Sequence, residues 1–327
     1  MKDILAGIKQ NNFVVVGRVG MDMFPAPGQA VEDAAHFTAD MGGSSANIAA
    51  GIVKLGGAAS LVTRVSDDAV GRFCVNKLHH YGVDTTYVLP TGGEARNSLA
   101  LYETRVEDHQ SVIYRNGAAD FEMNMSDVEA VDYQKFGALV TAGTVFAAEP
   151  SRAASFRAFE LARAAGLPVI FDIDYRPYSW PSAEVAEDVL SKAGALADVI
   201  VGNDDEFGFM AGDKTKGLAK ARELAQSSAA IVIYKMGEHG AITFAEGMEI
   251  RTGIYPVTAL KPTGAGDSFM AGLLAALASG APLETAVLNG SACAAIVVAK
   301  PGCAPAMPFP QDLSTFIADH PGPTTFA

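Results

Sequence analysis

Lys261-Pro-Thr-Gly-Ala-Gly-Asp-Ser-Phe-Met-Ala-Gly272 decides how this chain is read. Gly264, Gly266 and Asp267 stand at the mouth of an apolar run over 269–277. The run has helical spacing and no β-branched cluster, so it predicts a buried helix. Glycines before such a helix leave backbone N–H groups pointing off its N-terminus, where hydrogen bonds and the helix dipole favour an anion. A carboxylate at an anion-binding turn makes chemical sense if it takes a proton from an attacking hydroxyl. The structural alternative is that Asp267 only caps the helix.

The rest of the chain is globular in composition. It has 327 residues, 49% hydrophobic and 19% charged, enough for two domains or one large α/β domain. Its 24 Lys+Arg face 37 Asp+Glu, a net charge of −13, which argues against nucleic acid and anionic membranes as partners. An anionic small substrate would still need a local group of basic residues. Cys74, Cys293 and Cys303 are odd in number and lack metal-type spacing, which suits a reducing cytoplasm. The segment 1–10 carries Asp3 and Lys9 in its only apolar patch, so no secretory signal is expected there. No apolar run reaches membrane-spanning length, and a soluble protein is expected.

Working outward, 13–16 predicts a short buried strand ending at Gly17, with Asp22 just beyond it, where α/β sheets hold ligands. The segment 23–40 predicts a small hairpin outside the main sheet. Met41-Gly-Gly-Ser-Ser-Ala-Asn47 opens a helix that ends near Gly56-Gly57. A strand over 59–65 and a helix over 69–81 follow. Residues 98–106 and 109–115 predict a second hairpin turning at Glu107-Asp108. Strands over 139–146, 168–173, 198–202 and 230–234 alternate with helices over 151–165, 182–196 and 216–225. That alternation predicts a parallel sheet covered by helices. Two more strands lie near Ile242 and Ile250, Pro282 opens a last helix up to Val298, and the tail from Pro301 packs on the surface or frays. One large domain with a hairpin accessory fits this pattern.

Polar residues gather at the strand ends. Asp172, Asp174 and Arg176 alternate and would share one side. Asn203-Asp-Asp-Glu206 offers oxygen donors that suit a Mg²⁺ ion keeping most of its water. Lys235 with Gly237 and Gly240 makes a turn that could touch phosphate. Each reads alone as a solvated loop; together, facing the glycine-rich helix, they supply the parts of phosphoryl transfer. Other motifs are missing. No lysine follows a glycine, so there is no Walker A loop, and there is no GxGxxG after the first strand, no HExxH and no GxSxG.

Gly42-Gly43 with Asn47, Asn203 to Glu206, and Gly264-Ala-Gly-Asp267 resemble, in order and spacing, the three signatures of the ribokinase-like (PfkB) carbohydrate kinases. The resemblance implies a Rossmann-like α/β fold: a mostly parallel central sheet flanked by helices, with a small β-sheet lid that often forms a dimer contact. Residues 23–40 and 98–115 would supply that lid, and a homodimer is implied. By motif, Asp267 resembles the base, and Gly264, Ala265 and Gly266 the anion hole. Asp22, Gly43 and Asn47 match positions that bind sugar hydroxyls. Asn203 and Glu206 match the motif that orders Mg²⁺ and phosphate. Lys235, Gly237 and Gly240 fall in the ATP-phosphate turn, and the helix of Asn289 lies where adenine sits.

Two departures are informative. Lys261-Pro262 stands where most members carry Asp-Thr, and the usual potassium site leans on that aspartate, so the substitution argues against monovalent-cation activation. Asp174 replaces a common asparagine. With Tyr114-Arg115 and Asp174-Tyr-Arg-Pro177, the chain resembles the subgroup of 5-dehydro-2-deoxygluconokinases of inositol catabolism. Arg115 and Arg176 are then partners for a sugar-acid carboxylate, because guanidinium binds it in a bidentate way; otherwise they pair with acidic neighbours. The expectation is an ATP-dependent sugar-acid kinase. A 2-keto-3-deoxygluconate kinase or a fructokinase-like enzyme is the nearest alternative. A non-catalytic sugar or nucleotide sensor on the same scaffold is the alternative of another class.

Overall fold

The strands run in chain order β1 (Asn12–Val16), β2 (Gly20–Phe24), β3 (Thr38–Gly42), β4 (Ala58–Ser66), β5 (Val88–Thr91), β6 (Ser98–Tyr102) and β7 (Ser111–Tyr114). They continue as β8 (Ala138–Ala142), β9 (Val169–Asp172), β10 (Val199–Asn203), β11 (Ile231–Lys235), β12 (Ala241–Ala245) and β13 (Met248–Thr252). The computed structural model describes residues 1–104, 110–324 and 326. Nine strands form one sheet in the order β13-β12-β11-β10-β9-β8-β1-β4-β5. Its pairs are parallel from β5 to β11, and β12 and β13 close the edge antiparallel.

Strand alternation explains the layers. In β1, Val14 and Val16 face one core with Phe171, Phe146 and Phe159, while Phe13 and Val15 face a second with Ile170 and Leu273. Successive side chains point to opposite faces, so a strand buried on both sides reads as an unbroken apolar run. Helices Ser151–Ala164 and Ala183–Leu196 cover the first face; Ser44–Lys54, Ala265–Ala278 and Leu283–Val298 cover the second.

The order also fixes where a ligand goes. From β1 the chain steps outward to β4 and β5, then returns to β8 on the other side of β1. That reversal is a topological switch point, and its crevice lies beyond the carboxyl ends of the strands. Arg18 and Thr144 follow β1 and β8 there. A second sheet of four strands, ordered β3-β2-β6-β7, hangs over this edge. Asp22 lies within its strand β2 and is buried.

Several expected boundaries shift. The accessory hairpin is formed by β2 and β3, a few residues outside 23–40 at each end. The strand expected over 139–146 stops at Ala142 and passes into a 3₁₀ turn, Gly143–Phe146. At the change of course the backbone is crowded: a Cβ on Gly143 would meet the Ile173 carbonyl oxygen. The tail does more than fray: Pro310–Asp319 is a helix whose Leu313 and Phe316 pack against Tyr255. Its proline occupies the first helical turn, where the missing N–H costs nothing. The turn expected at Glu107-Asp108 lies outside the described residues.

Candidate active site

Between the two sheets lies a cavity of about 1070 Å³. One wall is the start of helix Ala265–Ala278. Gly264 precedes it in a left-handed conformation, φ 84°, and a Cβ there would sit 2.7 Å from Cys303 Sγ. Only glycine makes that turn cheaply in that space. Among the described residues, no group accepts a hydrogen bond from the Gly266 or Asp267 N–H. Both orphan donors therefore stand at the positive end of the helix, beside the cavity.

Asp267 is not the cap. The cap is Gly264, and Asp267 is the third helical residue, with its Oδ2 accepting from Asn47 Nδ2 at 2.8 Å. Burial and the charge of Asp174 push its carboxyl up to about 6, against the Asn47 hydrogen bond and the charges of Arg176 and Arg18. The group is ionised at neutral pH and close to the pH where a base works best. Gly43 and Ser44, at the start of the helix carrying Asn47, line the same space. Asp22 joins them, raised to about 7 mainly by burial. Gly42 packs against it so closely that a Cβ would lie 1.8 Å from Asp22 Oδ1.

Successive strand ends bring the remaining polar groups together. Asp172 closes β9, and Asp174 follows with φ 36°, a conformation rare outside glycine. Burial raises Asp172 and Glu206 above the usual carboxylate range, and Lys235 opposes the rise in both. Lys235 Nζ lies beside the anion-binding turn: a Cβ on Gly266 would be 3.6 Å from it and 4.0 Å from Asp172 Oδ2. Gly237 and Gly240 line the cavity next to it.

The Asn203 to Glu206 segment is a capping box on helix Asp204–Met210, a helix the sequence reading missed. Asn203 Oδ1 accepts from the Glu206 N–H, and Glu206 Oε2 accepts from the Asn203 N–H, both at 2.8 Å. Both residues still face the cavity. Among the described residues, no group of three or more His, Cys, Asp or Glu is placed to hold a metal directly. With one Glu206 oxygen committed to the cap, the donor set fits a hydrated Mg²⁺ touched through water rather than an ion caged by protein.

Two expected residues lie elsewhere. Arg115 is not on the cavity wall: it pairs with Asp120 at 2.5 Å, donates to the Thr144 carbonyl and stacks over Phe121. Tyr114 ends β7, so the chain has left the small sheet before Arg115 and turns it into the protein. Asn289 lies off the lining stripe of its helix, with its carbonyl against Gly272. Val287, Ser291 and Ala294 form that stripe, at helical spacing. Arg176 does line the cavity, but Asp174 holds it at 2.8 Å and Glu206 at 3.7 Å.

The pattern of the pfkB family carbohydrate kinases matches residues 10–310. The chain belongs to this family. It is 35% identical to a 5-dehydro-2-deoxygluconokinase of Geobacillus kaustophilus over 95% of each chain. It is also 35% identical to one of Photobacterium profundum, over 93% of this chain and 94% of that one. A fructokinase double mutant from Vibrio cholerae, solved with fructose, ADP and potassium bound, superposes with a TM-score of 0.81 at 25% identity, covering 93% and 98%.

Within this pfkB-family cavity, sequence reasoning overlooked Arg18 and the placement of Lys261. Lys261 is 2% exposed and donates to the carbonyls of Thr263, at 2.5 Å, and Val297, at 3.3 Å. Its ammonium ties the glycine turn to the end of helix Leu283–Val298. Arg18 had a usable signal, since it follows a buried strand at the same edge that singled out Asp22.

Proposed function

We propose that this carbohydrate kinase transfers the γ-phosphoryl group of ATP to the terminal hydroxyl of a sugar acid, 5-dehydro-2-deoxygluconate. The activity of these relatives supports the substrate. The observation that carries the chemistry is Asp267, a carboxylate at the third position of a helix whose N–H groups at 266 and 267 have no acceptor among the described residues.

Asp267 takes the proton of the acceptor hydroxyl as its oxygen attacks the γ-phosphorus; the bond to the bridging oxygen breaks and ADP leaves. The N–H groups of Gly264, Gly266 and Asp267 hold the charge that gathers on the transferring phosphoryl oxygens, whereas the expected Ala265 N–H is already donated to the Pro262 carbonyl. Asp22, Gly43 and Asn47 bind the sugar hydroxyls. Lys235, with the turn at Gly237 and Gly240, takes the nucleotide phosphates, and the Val287–Ala294 stripe receives the adenine in place of Asn289. Mg²⁺ would sit near Asn203 and Glu206 through water and neutralise phosphate charge. Lys261 supplies a fixed positive charge under the glycine turn, so no monovalent cation is required.

The small sheet acts as a lid and as a dimer face: Val112 is 41% exposed and Tyr114 61%. Three buried free thiols suit a reducing cytoplasm. No helix among the described residues is long and apolar enough to cross a membrane.

One observation favours a neutral sugar instead, such as fructose: Arg115 and Arg176 are both paired with acids. ADP release with MgATP across sugars and sugar acids separates the readings. The expected result is a kcat/KM preference for the acid that is abolished in Asp267→Asn, a variant that keeps its fold. Preference for a neutral sugar would overturn the acid reading and leave the kinase. Binding without turnover on every acceptor would favour a sensor.

A further inference from the structure

Arg18 lines the cavity and is 9% exposed. Its guanidinium makes no hydrogen bond to any described residue, and no described carboxylate lies within 4.0 Å of it. Its Nε is buried with no hydrogen-bond partner among the described residues. Buried guanidinium groups are ordinarily paired, and an unpaired one is costly to maintain. The two other arginines near the cavity obey that rule through Asp120 and Asp174. Arg18 remains charged nonetheless: burial opposes its charge, and the more distant Tyr102, Asp120, Asp174 and Asp22 outweigh burial.

We propose that Arg18 is the receptor for the substrate carboxylate and thereby sets the preference for sugar acids; this rests on the acid reading above. A planar fork of N–H donors matches a planar carboxylate. Arg18 stands on the acceptor side of the cavity. Its backbone underlies Gly43, where a Cβ would lie 2.7 Å from the Arg18 carbonyl, and its charge acts on Asp22, Tyr102 and Asp267. An open-chain sugar acid carries its carboxylate at one end and its primary hydroxyl at the other. With the hydroxyl at Asp267, the carboxylate reaches for Arg18, which among the described residues lining the cavity is the arginine with no carboxylate within 4.0 Å. Asp22, Asp120 and Asp174 surround Arg18 with negative charge. That favours a single anionic charge over a dianionic phosphate.

Arg18→Gln keeps an N–H donor at the level of Nε and removes the charge and the outer fork. Its kcat/KM is compared with wild type for the sugar acid, for the matching neutral sugar and for a hexose phosphate, with melting temperature checking the fold. The expected result is a loss of roughly 100-fold or more on the acid, with KM for ATP and turnover of the neutral sugar changed less than about threefold. If Arg18→Gln does not fold, Arg18→Lys is used, and a smaller loss still confined to the acid is expected. Equal losses on acid and neutral sugar would make Arg18 a structural residue and overturn the proposal, as would an unchanged acid rate. A wild-type preference for the hexose phosphate would overturn the carboxylate assignment. A wild type that takes only neutral sugars would instead sink the acid reading itself, which separates the two failures.

Discussion

Replacing Asn47 by alanine tests whether the base is tuned by a single amide. Asn47 Nδ2 donates to Asp267 Oδ2 at 2.8 Å, and this bond holds the carboxyl down to about 6 against burial and Asp174. A hydrogen bond to a charged group is worth about 1.5–3 kcal/mol, which is roughly one to two pKa units. Asn47→Ala should therefore carry the acid limb of kcat/KM from about 6 to roughly 7–8. A general base works when ionised, so activity falls as pH drops through its pKa. At pH 6 about half of wild-type Asp267 is ionised, against roughly 1–10% in the variant, a loss of about 5- to 50-fold. At pH 9 both are ionised, and only the pH-independent cost of a lost sugar contact remains. The assay is ADP release at subsaturating acceptor from pH 5 to 9, because kcat/KM reports the free enzyme. A uniform loss at every pH, with the limb still near 6, would refute tuning and leave Asn47 a positioning group.

Other expectations follow from the same geometry. Wild-type turnover should be equal in sodium and potassium buffers, while Lys261→Met should lose activity and regain part of it with potassium or ammonium; a potassium requirement in the wild type would remove Lys261 from this role. Asp22 has a folded-state pKa above its unfolded one, so its contribution to stability is full below the unfolded value and is lost as pH rises through about 7. Asp22→Asn should therefore raise the ligand-free melting temperature at pH 8, by about 2–4 kcal/mol of stability, and hardly at all at pH 4; an equal gain at both would contradict the burial argument. Gly42→Ala pushes a methyl into the Asp22 carboxylate, so KM for the sugar should rise at least tenfold with KM for ATP unchanged. A rise in both would mean that the small sheet had been displaced as a whole.

The alternation of apolar strands and amphipathic helices from β8 to β11 was legible in the sequence, because each strand there is buried on both faces. Asp267, Asn47 and the glycines were legible for a related reason: a helix opening through glycine announces free N–H groups. Side-chain partners were not legible. Arg115 looked like a ligand for an acid because Tyr114-Arg115, in an extended run, is part of the resemblance to sugar-acid kinases. Nothing in that run shows that Asp120, only five positions on, folds back to neutralise it. Asn203 and Glu206 also have the spacing of a helix cap, and a cap is what they form while facing the cavity. Arg18 passed unnoticed because an isolated arginine after a glycine carries no motif; its meaning lies in having acids around it but, among the described residues, none within 4.0 Å, which only three dimensions reveal.

The ring of buried acids at the strand ends also bears on how quickly substrates arrive. Nucleotide and sugar acid are both anions, and they approach a protein whose formal net charge of −13 already counts Asp22, Asp172, Asp174 and Glu206 on the cavity wall. Attraction is local, at Lys235, Arg18 and one helix end, whereas repulsion is felt from far away. Salt screens interactions beyond about 8 Å at physiological strength and leaves short contacts largely intact. Encounter should therefore speed up as ionic strength rises, the reverse of the usual steering of charged ligands. A protein arranged this way captures anions by contact rather than by long-range field, and its selectivity resides in what the cavity touches.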